Sequence, residues 1–232
     1  MEAGESVPVP ASVARSDLPV RAASALVMLA IAAFVLWAGG MTLVTFIILV
    51  TIACFVEFVS LVVRATTSSP ERALGIGFGA IYIGLAALGL MNFAPLEICA
   101  ILGIVVFTDT CAYFSGRTIG GPKIAPSISP SKTWAGLVGG MIGAAGWAAL
   151  VGYGLPKIAF EPRIHGHVAI WAIIGSGLAV LAQMGDFFES WLKRKAGVKD
   201  SSRLIPGHGG VFDRVDGLLP VAIAVALIAQ AA

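Results

Sequence analysis

An all-α bundle of membrane-spanning helices is the fold class this sequence predicts, and three observations predict it. Charged residues make up 12% of the 232 residues and hydrophobic ones 58%, whereas a soluble domain carries about 25% charge. So little charge cannot cover a surface in water. The apolar residues gather into seven runs, most of them near the roughly 20 residues that cross a bilayer core of about 30 Å. None alternates with the period of two that barrel strands need, and only helices or closed barrels satisfy their backbone groups in lipid. The expectation is a polytopic integral membrane helix bundle with about seven transmembrane helices and a cytoplasmic N-terminus.

Residues 1–21 mix Pro, Ser, Glu and Arg and read as a disordered cytoplasmic tail. The apolar runs follow at 22–39, 41–63, 74–91, 95–115, 134–155, 168–188 and 217–231. The first exceeds the roughly 7–15 residue core of a signal peptide and lacks a convincing cleavage site, so it reads as a span. Alternating the seven spans puts all 15 Lys and Arg residues on one side except Lys157 and Arg163. That separation places the N-terminus and the loops 116–133 and 189–216 in the cytoplasm, with the C-terminus outside. No internal repeat is evident. Gly136, Gly139, Gly140 and Gly143, and likewise Gly75 and Gly79, recur at three- and four-residue spacing and suit close helix packing. Cys54, Cys99 and Cys111 sit in apolar runs without metal-ligand spacing, and read as small packing residues. A net charge of +2 gives no argument for a nucleic-acid partner.

Charge gathers at one place. The stretch 190–216 carries Lys193, Arg194, Lys195, Lys199, Arg203 and Arg214 around the turn Pro206-Gly-His208-Gly209-Gly210. Just before it, Asp186, Glu189, Ser190 and Lys193 form one helical stripe opposite Phe187, Phe188 and Trp191, though a solvated amphipathic helix end would look similar. Asp213 and Asp216 bracket the start of the last apolar run, where carboxylates also serve as caps. Two carboxylates from different helices, beside many cations, suit magnesium holding phosphates. The turn would let the Gly209 and Gly210 amides approach an anion. Neither a Walker A motif nor GxGxxG after a strand is present.

Asp109 lies inside the fourth run, where a carboxylate costs about 2.5–3.5 kcal/mol and needs a polar cavity or partner. Tyr113 and Arg117 share its face, and the simpler reading is an aspartate satisfied by Arg117. The loop 120–134 supplies Lys123, Lys132, Ser127, Ser129, Ser131 and Thr133, and its three prolines keep it extended. It suits anionic headgroups, or closure over a nucleotide. His165 and His167 read as part of a solvated loop. Glu57 stands in the second run with no evident partner.

At these residues the chain resembles the phosphatidate cytidylyltransferases (CDP-diacylglycerol synthases). Ser190, Leu192, Lys193, Arg194, Lys199, Asp200, Ser202, Pro206, His208, Gly209, Gly210, Asp213, Arg214 and Asp216 fill that family's signature without a gap. Asp109 to Arg117 matches its D-T-x-A-Y-F-x-G-R element, and Ile128 to Trp134 its I-S-P-x-K-T-W element. Ser131 and Ala135 depart from the common K-K-T-W-E-G form.

The resemblance implies transfer of a cytidylyl group from CTP to phosphatidate, giving CDP-diacylglycerol and pyrophosphate, in a bacterial cytoplasmic membrane with the site facing the cytoplasm. It implies scaffold helices over 22–94 and a catalytic transmembrane domain over 95–232. Asp186 and Asp213 would hold magnesium, with or without a second cation. Lys193, Arg194, Lys199 and Arg214 would bind phosphates. Asp109, Ser129 and Lys132 would line the nucleotide pocket, and His208 would donate to phosphate or brace its turn. Membrane lipids and a second copy of the chain are the expected partners. The rival readings are a CTP-dependent polyprenol or lipid kinase, and a transporter, whose polar site would sit near the midplane with repeat symmetry.

Overall fold

The structure is a computed structural model that describes residues 11–154 and 168–231, with side chains over 18–152 and 168–231. Lys157, Arg163, His165 and His167, and the first ten residues of the expected tail, lie outside the described residues. The elements run α1 (Ala11–Ala38), α2 (Gly40–Ala65), α3 (Ser69–Met91), α4 (Pro95–Thr118), β1 (Lys123–Ala125), β2 (Ser129–Thr133), α5 (Trp134–Gly154), α6 (Val168–Lys195), α7 (Phe212–Val215) and α8 (Leu218–Ala231). Each of the seven apolar runs is helical over nearly all of its described residues, and the class expected from composition holds.

Several boundaries differ. Helix α1 takes in residues 11–21, which composition alone assigns to the tail. Helix α6 continues through the acid-and-base stripe to Lys195, so residues 189–195 are helix rather than loop. Among the described residues, six helices have the length and apolarity of membrane spans. The last apolar run is a helix of 14 residues, about 21 Å at 1.5 Å per residue, which is short of the bilayer core. The loop before α5 is a small antiparallel hairpin rather than an extended segment, with Lys123 opposite Thr133 and Ala125 opposite Ser129. The Thr133 hydroxyl accepts from the Gly136 amide at 3.1 Å and so caps α5 where the hairpin feeds into it.

Helices α4, α5 and α6 pack most extensively, and α3 and α8 complete the bundle. The α5 glycines explain how close α4 comes. A Cβ at Gly136 would lie 3.0 Å from the Ala112 carbonyl oxygen, one at Gly140 2.9 Å from that of Thr108, and one at Gly143 2.8 Å from that of Phe107. On the other side, Phe188 of α6 meets Phe58, Phe78 and Tyr82 at ring separations of 5.7–6.2 Å. Cys54, Cys99 and Cys111 are all free thiols; Cys54 is buried, whereas Cys99 is exposed. A cleft of about 890 Å³ between Glu97, Trp147, Trp171 and Gln230 lies toward the opposite ends of α4 and α6 from the charged residues.

Candidate active site

Three carboxylates converge where α6 meets the α7–α8 junction. Asp186, Glu189 and Asp216 each offer an oxygen, and these atoms lie within 4.8 Å of one another. Gly185 permits the approach. A Cβ there would run into the Asp216 carbonyl oxygen and come within 2.9 Å of Pro220 Cγ. Any side chain at 185 would therefore push the start of α8 away from α6.

Like charges this close repel by about 3 kcal/mol per pair at an effective dielectric of 20, so cations must stand nearby. Lys132 reaches over from β2 to form an ion pair with Asp186 and donates to Gln183 Oε1 at 2.9 Å. Lys193 donates to Glu189 at 2.6 Å and to Asp213 at 2.8 Å. The Ser190 hydroxyl donates to Asp186 at 3.3 Å. Two lysines among these acids leave negative charge in excess. Burial, then the negative charge of Asp186, push the Asp216 carboxyl up to about 7, against the pull of the Gly217 amide.

The group fits a hard divalent cation. Glu189 is 2% exposed, and its Oε1 has no hydrogen-bond partner among the described residues. A buried carboxylate oxygen seldom stays unpaired. A carboxylate grouped with two further carboxylates offers the oxygen set that magnesium takes. Asp186, Glu189 and Asp216 are the residues that would hold it.

Asp213, the other ligand expected from the resemblance, is not among these three, and its oxygens are well supplied with donors. It accepts from the Lys193 ammonium, from the Ser201 amide and hydroxyl at 2.9 Å each, and from the Gly210 amide at 2.8 Å. Burial alone would raise its pKa. The bonds with Glu189, Lys193 and the Gly210 and Ser201 amides outweigh burial and hold the carboxyl well below the usual range. The turn glycines also serve the chain's own carboxylates. Gly209 has φ of 83°, and a Cβ there would lie 2.6 Å from Asp213 Oδ2.

The remaining candidates ring this centre. His208 turns toward α1, where its Nδ1 shares a hydrogen bond of 2.8 Å with the Ser24 hydroxyl. Its carbonyl accepts from Arg214 at 2.8 Å. Arg194, Lys199 and Arg214 are exposed around the rim, with Arg194 Nε 3.5 Å from the Ile128 carbonyl of the hairpin. Ser129 opens β2 in register with Ala125. Asp109 joins through the Gln183 amide at 3.5 Å. Arg117 instead donates to Tyr113 at 2.7 Å, so the simple Asp109–Arg117 pairing does not form. Glu189 and Asp216 were visible in the sequence without a role. The Gly185-Asp186 pair is the signal that marks where α6 lets another chain segment come close.

Apolar helices with acids and lysines meeting near one end define a polytopic membrane protein with a charged site beside its helix ends. Comparison with known proteins narrows the class. A family model described as "Cytidylyltransferase family" matches residues 74–232. A protein of Brucella suis named phosphatidate cytidylyltransferase is 32% identical over 89% of this chain and 91% of its own length. One of that name from Rickettsia bellii is 38% identical over 66% of this chain and 67% of its own. Another, from Rickettsia conorii, is 44% identical over 48% of each. The chain belongs to the cytidylyltransferase family, and its six long apolar helices make it an integral membrane protein.

Proposed function

We propose that this protein transfers a cytidylyl group from CTP to phosphatidate, releasing pyrophosphate and leaving CDP-diacylglycerol in the membrane. The observation that carries the reading is the meeting of Asp186, Glu189 and Asp216 with Lys132 and Lys193, at the point where the signature residues and the hairpin converge. It is supported by full-length relatives named for this activity.

The phosphatidate phosphate, with a second pKa near about 6, is largely dianionic at neutral pH and is itself the nucleophile. One of its oxygens bonds to the α-phosphorus of CTP. The bond from that phosphorus to the bridging oxygen breaks, and pyrophosphate leaves with the electron pair. No side-chain nucleophile is required. The protein must neutralise two polyanions and align them. Lys132 and Lys193 stand beside the acidic centre to take phosphate oxygens, and the exposed Arg194, Lys199 and Arg214 draw the triphosphate in. Asp109, Ser129 and Gln183 would border the nucleotide. Magnesium held by Asp186, Glu189 and Asp216 would supply charge neutralisation and in-line alignment. Asp213 orients Lys193 and the 201–210 turn.

The lysine-rich ends of α6 and of the hairpin face the cytoplasm in this reading, in a bacterial inner membrane. The catalytic region comprises residues 95–232, and the active species is a homodimer. Purified protein incubated with labelled CTP, phosphatidate and magnesium should release pyrophosphate and label the lipid with CMP. Release of CDP with a phosphorylated lipid would instead identify a lipid kinase. Lys132→Ala should raise the KM for CTP about tenfold or more, the scale of one lost charge-assisted contact; an unchanged KM would remove the hairpin from the nucleotide site.

A further inference from the structure

Glu57 is the carboxylate that neither the signature nor the acidic centre uses. It sits on α2, ahead of the matched residues 74–232, and is 5% exposed. Its oxygens take two donors each. Oε1 accepts from the Ser202 hydroxyl at 2.6 Å and the Val211 amide at 3.1 Å. Oε2 accepts from the Phe212 amide at 2.8 Å and from the Ser201 hydroxyl at 2.9 Å, whose single hydrogen it shares with Asp213 Oδ2 at the same distance. Four donors fill the acceptor capacity of an ionised carboxylate.

These donors lie at both ends of one loop. Ser201 and Ser202 open it, and Val211 and Phe212 close it where α7 begins and amides would otherwise lack partners. A Cβ at Gly210 would collide with Ser201 Oγ and Glu57 Oε2, so the glycine is needed for the carboxylate to come this close. The next residue on α2, Phe58, meets the Phe212 ring edge-on at 5.7 Å and 89°. Directly after this clamp come Asp213, which holds Lys193, and Asp216, which completes the acidic centre.

We propose that Glu57 is a positioning residue for cytidylyl transfer: from α2 it closes the 201–212 loop, so that Asp213 reaches Lys193 and Asp216 reaches Asp186 and Glu189. The proposal rests on the cytidylyltransferase reading above, and it makes α2 part of the site's machinery rather than scaffold. Glu57 does not touch substrate in this account. It acts through the loop.

Glu57→Gln in the full-length protein keeps the side chain's size but replaces one acceptor oxygen with an NH2 group, which faces a backbone N–H that cannot turn round. The expected result is a fall in kcat for pyrophosphate release of about 10–100-fold, the scale of a small misplacement of reacting groups. Hydrogen exchange should speed up over residues 200–215, while α4 and α5 keep wild-type protection. Ser202→Ala, which removes one of the four donors, should shift both readouts the same way by less. If Glu57→Gln fails to fold, Ser202→Ala decides on the same two measurements. A wild-type kcat overturns the proposal, as does a loss of kcat without faster exchange in the loop, or faster exchange throughout the bundle. Wild-type protein that releases no pyrophosphate sinks the cytidylyltransferase reading instead, whereas an active wild type with an equally active Glu57→Gln sinks only the positioning role.

Discussion

Asp213 and Asp216 occupy one short turn of the chain, yet their surroundings are opposite. Asp213 is met by an ammonium, a hydroxyl and two amides, all of which favour its charged form. Asp216 is met by Asp186 and Glu189 and keeps one donor from the chain, the Gly217 amide at 2.8 Å. Spacing in the sequence makes the two look interchangeable. Their partners differ: donors surround the first carboxylate, and other acids crowd the second, as they would at a cation site.

The comparison breaks most sharply under mutation. Asp216→Asn and Asp186→Asn should each lower cytidylyl transfer by about 100–1,000-fold, the scale of losing a main electrostatic stabiliser, while leaving the protein folded. Asp213→Asn should cost less activity, about 10–100-fold through misplacement of Lys193. It should also cost more stability, about 1–3 kcal/mol from stranded donors. Thermal midpoints in detergent alongside initial rates check both. Equal rate and stability losses for Asp213→Asn and Asp216→Asn would erase the distinction.

Gly185→Ala sharpens the same contrast from α6. The added methyl meets the Asp216 carbonyl oxygen and Pro220, so it should separate Asp216 from Asp186 and cost about 1–3 kcal/mol of strain. Transfer should fall even though every carboxylate is retained. Wild-type activity in Gly185→Ala would show that the close approach is unnecessary.

Much of this was legible before the structure. The helix class follows from composition alone. The sequence offers the 120–134 loop for anionic headgroups or closure over a nucleotide, and the structure brings its Lys132 to Asp186 of the acidic stripe. What the sequence hid is which carboxylate meets which. Asp213 and Asp216 lie at i, i+3 about the short helix α7, and their spacing does not tell that Asp213 meets Lys193 whereas Asp216 meets Asp186 and Glu189. Glu57 carried no local signal because its partners lie 144 to 155 residues away. The hairpin was missed because Pro126 and Pro130 argue against strands, yet they flank or edge a two-stranded ladder too short to need every amide.

The smallest expected effect is in pH dependence. Burial and the negative charge of Asp186 push the Asp216 carboxyl of the folded protein up to about 7, from 3.8 for an unperturbed aspartate. Between those values the folded state holds the proton more tightly than the unfolded one. Metal-free protein should therefore lose stability as pH rises from about 4 to 7. Asp216→Asn should flatten that slope, which thermal midpoints across the range would show. An unchanged slope would mean that Asp216 is not the crowded group.

The most direct test is magnesium's effect on thermal stability in the absence of nucleotide. A cation held by Asp186, Glu189 and Asp216 should raise the midpoint of the wild-type protein, since saturation at about 100 times Kd is worth about 2.7 kcal/mol. Asp213→Asn should keep that shift and Asp216→Asn should lose it. A shift retained by Asp216→Asn and lost by Asp213→Asn would contradict the account.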